Sequence, residues 1–395
     1  MLALRGAKVW TMGPKGLLDG ATVLVDGGKI RDIGSLDIPS EARVIDVHGL
    51  TIVPGFVDAH SHLGLSPQGL GIDDGTETTD QITPQLKALD ALDPVSKSLG
   101  ISLEGGVTTS AMLPGSGLSF GPLTEQITVM PGMASVLKIK RFYPIVMREK
   151  AGIKMAFGEQ PKRAVAEKKA APVTRMLITA MVRENLRAAQ AYMKKKASGA
   201  ADFDPKKEAL AGLLTREYPA LVHVHRVRDI HLALDIKREF GIDLVLHHVT
   251  EGHLMAEEIA KQGVPCAVGP IAYTRRGFEL ANLTLAGPGI LARAGVKVAL
   301  VSDFPTFPPH YLPIHAGMAY REGMPYEEAL RSITINAASM LGVADRVGSL
   351  EPGKDADFVV FDGDPLGTLS KVKMVFSDGE IVFDDAACSG KGCCR

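Results

Sequence analysis

Residues 2–50 alternate apolar and polar positions in short runs broken by glycine, the period-two pattern of half-buried strands. ALRGAKVWTM, ATVLVDGGKIRDIG and ARVIDVHG are three such runs, and Asp26-Gly27-Gly28 reads as a hairpin turn between two strands. The far end repeats the pattern in ADFVVFDGD (356–364) and KVKMVFSDGEIVFDD (371–385), the latter folding at Ser377-Asp378-Gly379. Hairpin strands at opposite ends of the chain are expected to pair into one small β-sandwich, with the middle inserted between them.

The middle alternates strands with helices, the signature of a parallel sheet covered by helices. Strands are predicted at TIVPGFVDAHSH (51–62), VTTSAML (107–113), AGIKMAFG (151–158), ALVHVHR (220–226), DLVLHHV (243–249), VPCAVGP (264–270) and VKVALVSD (296–303). An eighth, needed to close a barrel, is placed at QITVMPG (126–132). Helices at 229–241 and 253–263 are each stopped by glycine. Residues 160–215 form a Lys/Ala-rich insertion in which Leu177, Met181, Ala188 and Tyr192 fall near helical spacing. The acidic, Gly-rich stretch 64–85 reads as a lid or a subunit contact.

Composition narrows the class without naming it. With 395 residues, 46% hydrophobic and 23% charged, the chain suits one large and one smaller core. A net charge of −1 gives no electrostatic reason to expect nucleic acid or a membrane surface as partner. No apolar run reaches bilayer length, and the N-terminus does not read as a signal peptide, so a cytoplasmic location is expected. Cys266 reads as a buried thiol, and Cys388, Cys393 and Cys394 as part of a disordered tail.

The chemistry gathers at strand ends. His60 and His62 stand two apart on one strand, so their rings share a face and suit a borderline-soft divalent ion. In a (β/α) barrel, catalytic groups collect at the carboxyl ends of the strands. The other ends supply Lys154 or Glu159, His223 or His225, His247 or His248, and Asp303. A divalent ion held by such groups lowers the pKa of bound water to about 7 and polarises a scissile carbonyl. A carboxylate beside it can carry the proton to a leaving amine.

In these residues the chain resembles the amidohydrolase superfamily, near its imidazolonepropionase, Xaa-Pro dipeptidase and N-acetylglucosamine-6-phosphate deacetylase groups. The resemblance is carried by PGFVDAHSH (54–62), GVTT (106–109), VHVHR (222–226), LHHVTEGH (246–253), SDFP (302–305), TINAASMLG (334–342) and VGSLEPGKDADFVVFD (347–362). It implies an α/β fold, a (β/α)8 TIM barrel over 54–348 with a β-sandwich built from 1–53 and 349–386, and a tail at 387–395. It further implies His60, His62, His223, His248 and Asp303 as metal ligands, with Asp303 and His248 catalytic and Asp303 the proton shuttle. Members of the family fill the fourth strand with a carboxylated lysine bridging two metals, with a glutamate, or with neither. Glu159 at the strand's edge is the expected ligand here, and Lys154, His225 and His247 are the alternatives. Phe304 stands where similar chains often carry histidine.

The expected activity is hydrolysis of a C–N bond, in an amide or cyclic amide, by metal-activated hydroxide. Deamination on the same centre, or a non-catalytic scaffold, are the alternatives. The ion is expected to be Zn2+, one or two, with Mn2+, Fe2+ or Ni2+ as substitutes. The partner is a small-molecule substrate, and a homo-oligomer is the expected assembly. Arg226, Arg228, His253, Tyr273, Arg275 and Arg276, near the barrel mouth, are candidate substrate contacts; a guanidinium suits a carboxylate or phosphate.

Overall fold

The apolar alternation at the start of the chain becomes β1 (Leu2–Trp10), β2 (Leu17–Asp26), β3 (Lys29–Gly34), β4 (Arg43–Asp46) and β5 (Thr51–Pro54). The computed structural model describes residues 1–65, 74–77, 79–116, 128–159, 161–162, 172–275 and 277–388. After β5 come eight barrel strands: β6 (Phe56–Ser61), β7 (Val107–Met112), β8 (Gly132–Lys138), β9 (Ile145–Ala156), β10 (Ala220–Val224), β11 (Leu244–His248), β12 (Cys266–Val268) and β13 (Val298–Leu300). The chain then returns through β14 (Phe358–Phe361), β15 (Val372–Ser377) and β16 (Glu380–Asp384).

Both ends share one eight-stranded sheet, ordered β16-β15-β14-β5-β1-β2-β3 with β4 beside β1. The two expected turns are present. Asp26 pairs with Lys29 across Gly27-Gly28, and Ser377 pairs with Glu380 across Asp378-Gly379. All four turn residues have positive φ, the requirement of a tight two-residue hairpin. Leu4, Val23, Ile33, Ile52, Phe358 and Phe376 close an apolar cluster of their own.

The second sheet runs β6 to β13 and nearly closes. The Asp303 amide donates to the His60 carbonyl at 2.9 Å, and the His62 amide donates to the Phe304 carbonyl at 3.0 Å, bridging the last strand to the first. Every strand sends small or branched side chains into one cluster, among them Val57, Ala111, Val136, Ala151, Leu221, Val245, Ala267 and Ala299. That is a filled barrel interior.

One strand departs from the predicted parallel pattern. The structure places it at Gly132–Lys138, beyond most of the expected 126–132, and it runs antiparallel to both β7 and β9. Only six residues, 139–144, join β8 to β9. A parallel crossover needs a dozen or more residues, so a hairpin is the available connection. β8 therefore ends at the barrel floor, where Lys138 is fully buried among Asp355, Asp357 and Asp378 of the terminal sheet.

The insertion helix spans Arg175–Ala197 and buries Ile178, Val182, Leu186, Ala189 and Tyr192. The buried stripe thus lies one position on from the predicted one, with Leu177 and Ala188 exposed; Tyr192 is common to both. Most of the 64–85 stretch is described, but residues 66–73 and 78 lie outside the described residues, as do Cys393 and Cys394. Cys266 is a buried free thiol. Among the described residues no helix is long and apolar enough to cross a membrane.

Candidate active site

Gly55 joins the terminal sheet to the barrel. A Cβ there would lie 2.1 Å from Thr108 Oγ1, so the two strands approach this closely only over glycine. Five residues later, β6 delivers His60 and His62 to the mouth. Asp58, buried beneath them, accepts hydrogen bonds from the His60 amide (3.2 Å), the Ser302 amide (3.2 Å) and the Ser302 hydroxyl. It ties the first strand to the residue before Asp303. Burial pushes the Asp58 carboxyl up to about 7, against the pull of those hydrogen bonds.

His60, His62 and Asp303 present one donor atom each within 4.8 Å of one another. Asp303 Oδ1 is 3.4 Å from His60 Nε2 and 3.6 Å from His62 Nε2. His62 Nδ1 donates to the Leu113 carbonyl at 2.7 Å, so the neutral ring carries a bare lone pair on Nε2. In that form Nε2 turns its lone pair toward the Asp303 carboxylate. Such a pairing fits a cation.

His248 lies at the centre of the other rings, its centroid 4.7 Å from His60, 4.4 Å from His223 and 5.1 Å from His225. Its Nδ1 donates to the Gly269 carbonyl at 2.7 Å, which again leaves Nε2 as a lone-pair donor. His248 and Val249 have φ of 69° and 52°, so the strand turns out of extended geometry at this residue. His247, two residues after the inward-facing Val245, reaches the site by ordinary alternation, its Nδ1 2.7 Å from His60 Nδ1, and the turn brings His248 in beside it. His225 Nδ1 is 2.7 Å from the Thr250 hydroxyl. Burial lowers the pKa of all these rings, to about 3 for His225 and about 4 for His248. His60, His223 and His247 are shifted well down for the same reason. The rings are neutral donors at physiological pH.

Lys154 and Glu159 exchange their expected places. Lys154 is buried with Nζ 3.1 Å from His60 Nε2, and burial lowers its pKa to about 8 although the Asp303 charge opposes the shift. Burial would raise the Asp303 carboxyl, but His248, His62 and Lys154 hold it below the usual carboxylate range. Glu159 lies beyond the end of β9 and pairs with Arg175 at 2.6 Å, Lys162 at 3.2 Å and Arg228 at 3.4 Å. It does not join the histidine groupings.

The candidate substrate contacts are engaged elsewhere or peripheral. Arg226 pairs with Glu251 at 3.1 Å and lies 4.1 Å above the Phe278 ring. Arg275 Nε donates to the Leu283 carbonyl, and His253 Nδ1 lies 3.1 Å from the Thr250 carbonyl oxygen. Tyr273 is half-buried after β12, and Arg276 lies outside the described residues. Sequence reasoning missed Glu279, which stands within 4.8 Å of His223 and His225. A single carboxylate in a loop carries no periodic signal. Burial raises its pKa to about 7, against a hydrogen bond from the Glu159 amide.

Residues 174–382 match the amidohydrolase family model. The chain belongs to the amidohydrolase family. It is 30% identical over 390 residues to amidohydrolase tasK of Hapsidospora irregularis, an alignment covering 92% of this chain but 40% of that protein. Imidazolonepropionase of Caldanaerobacter subterraneus subsp. tengcongensis is 26% identical over 374 residues, covering 88% of this chain and 85% of the relative. Among solved structures, an amidohydrolase from Thermotoga maritima MSB8 matches with a TM-score of 0.91 and 37% identity, over 97% of this chain and all of that one. An Xaa-Pro dipeptidase with bound methionine shares the fold at a TM-score of 0.58 and 18% identity. The chain thus carries an amidohydrolase-type barrel.

Proposed function

We propose that this amidohydrolase is a metal-dependent hydrolase of a C–N bond in a small amide or cyclic amide. The observation that carries the reading is the convergence of His60, His62 and Asp303, which place one potential donor atom each within 4.8 Å of one another at the barrel mouth. Family membership and the imidazolonepropionase relatives over most of the chain support the bond class.

His60, His62, Asp303, His223 and His248 would hold the divalent ion or ions, with Zn2+ the expected metal. Lys154 replaces Glu159 as the fourth-strand group, since it alone of the two faces the histidines. When bound, such an ion acidifies water and polarises a carbonyl. Asp303 takes the proton of the attacking water and returns it to the leaving nitrogen. The Leu113 and Gly269 carbonyls fix the His62 and His248 tautomers so that both rings offer Nε2. His247 and Asp58 orient His60 from behind and below. Residues 1–53 and 349–386 form one terminal unit and 54–348 the barrel, in a homo-oligomer of unspecified order.

Metal analysis of the purified protein, followed by assay against linear amides, cyclic amides and dipeptides, tests the reading. Hydrolysis that is lost on chelation and regained with metal supports it. Ammonia release from an amidine with no amide turnover would replace it with deamination, and protein that binds no metal would leave a scaffold.

A further inference from the structure

We propose that the amino-end pole of the barrel, opposite the histidine mouth, holds a binding site for a small organic dianion, its charged head held by Arg148, Arg216 and Lys237. The site goes beyond the hydrolytic reading and does not depend on a metal.

The space is a cleft of about 370 Å³, the size of a small-ligand pocket. Pro219, Leu244 and Pro265 stand where the chain enters β10, β11 and β12, and they line the cleft with Met340 of the helix Ile335–Leu341. These residues give it an apolar floor. Leu244 opens β11 and His248 closes it, so the cleft lies about 13 Å from the mouth along that strand. An occupant there binds without meeting the histidines.

The charge around the floor is unbalanced. Arg148 donates to the Leu341 carbonyl at 3.0 Å and to the Glu217 carbonyl at 3.1 Å, and Arg216 Nε donates to the Gly241 carbonyl at 2.7 Å. All three acceptors are backbone oxygens. Among the described residues, Arg148, Arg216 and Lys237 form no ion pair with a carboxylate, and the Lys237 ammonium has no hydrogen bond. Of the two lining carboxylates, Glu217 is paired with Lys150 at 3.1 Å. Three cations therefore face Asp243 alone, an excess that concentrates positive potential in the cleft. Capping a carbonyl uses only Nε of Arg216 and leaves its Nη groups for an oxyanion. Gly342 has φ of 68°, and a Cβ there would overlap Arg148 Nη1, so glycine at this helix end admits the guanidinium. A doubly charged head matches the excess of cations, and an apolar body matches the floor.

The test is calorimetric titration of the full chain with phenyl phosphate, with phenylmalonate as the dicarboxylate on the same ring, and with benzyl alcohol as the neutral counterpart. One dianion per chain should bind to His60→Ala/His62→Ala, in which the first-strand rings at the mouth are gone, and the tighter of the two names the head group. Arg216→Gln/Lys237→Gln should weaken that binding about tenfold or more. Lys237→Glu, at a side chain with no bond to lose, should weaken it in the same direction while leaving amide hydrolysis and the unfolding temperature unchanged. The proposal is overturned if neither dianion binds, if benzyl alcohol binds as well as they do, or if binding is lost with the two histidines. Wild-type affinity in both cleft variants overturns it too.

Discussion

Lys154 Nζ lies 3.1 Å from His60 Nε2, with both side chains buried at the barrel mouth. A buried cation beside a cluster of imidazoles is expensive unless it is deprotonated, carboxylated or replaced by metal. Lys154→Met should therefore lower the metal content of the purified protein, whereas Glu159→Gln should leave it unchanged. Elemental analysis of the two variants side by side checks both halves. Equal loss in both would return Glu159 to the ligand set.

Asp303 is expected to move protons as well as bind. Asp303→Asn should lower kcat by about 10²–10⁴-fold while leaving the barrel folded with metal bound. Steady-state kinetics and metal analysis on one preparation separate the two roles, and unchanged turnover would remove the shuttle.

Removing both first-strand rings is the sharper test of the primary grouping. The double variant His60→Ala/His62→Ala should lose the ion bound near Asp303. Full occupancy in that variant, measured by cobalt titration, would refute the assignment.

The barrel floor has its own electrostatic dependence. Lys138, fully buried, is 2.5 Å from Asp355 Oδ2 and 3.2 Å from Asp357 Oδ2, and it also contacts Asp378. Lys138→Met should destabilise the protein by about 3–5 kcal/mol, because three carboxylates lose their buried partner. Denaturant unfolding at neutral pH reads the change.

Asp357 in that cluster gives the opposite sign. Burial raises its pKa to about 6, against the Lys138 charge. A carboxyl whose folded pKa exceeds its unfolded value costs stability when both states are ionised, and the cost disappears as pH falls from about 6 to below 3.8. Asp357→Asn should therefore stabilise at pH 7.5, on the order of 2 kcal/mol, with the gain shrinking below pH 6. Tm compared across that range tests it, and a gain that grows in acid would contradict the sign.

The elements legible in the sequence were those whose signal is local. The two-residue turns at Gly27-Gly28 and Asp378-Gly379, and the His60/His62 pair, are written within a few residues. Which of Lys154 and Glu159 faces the histidines depends on something longer-ranged. β9 ends at Ala156, so Glu159 has left the strand and turned toward Arg175. Alternation from Val245 points His247 inward but not His248, whose ring enters the site only because positive φ at His248 and Val249 breaks the strand there. β8 was misplaced because a strand built of GMASVLK has weak alternation, and its reversal depends on the length of the following turn rather than on its own residues.

That reversed strand assigns its two flanks to different pressures. Gly132 opens β8 beside Lys154, while Lys138 closes it at the floor, next to Ile145. Changes just before Gly132 lie at the end of β8 that pairs with Lys154, whereas the 139–144 turn, where Phe142 and Tyr143 are exposed and Lys140 pairs with Asp378, borders the seam with the terminal sheet. Selection for a new substrate can rewrite one flank while the other stays fixed, so descendants of this chain should vary in what they cleave faster than in how their two halves are joined.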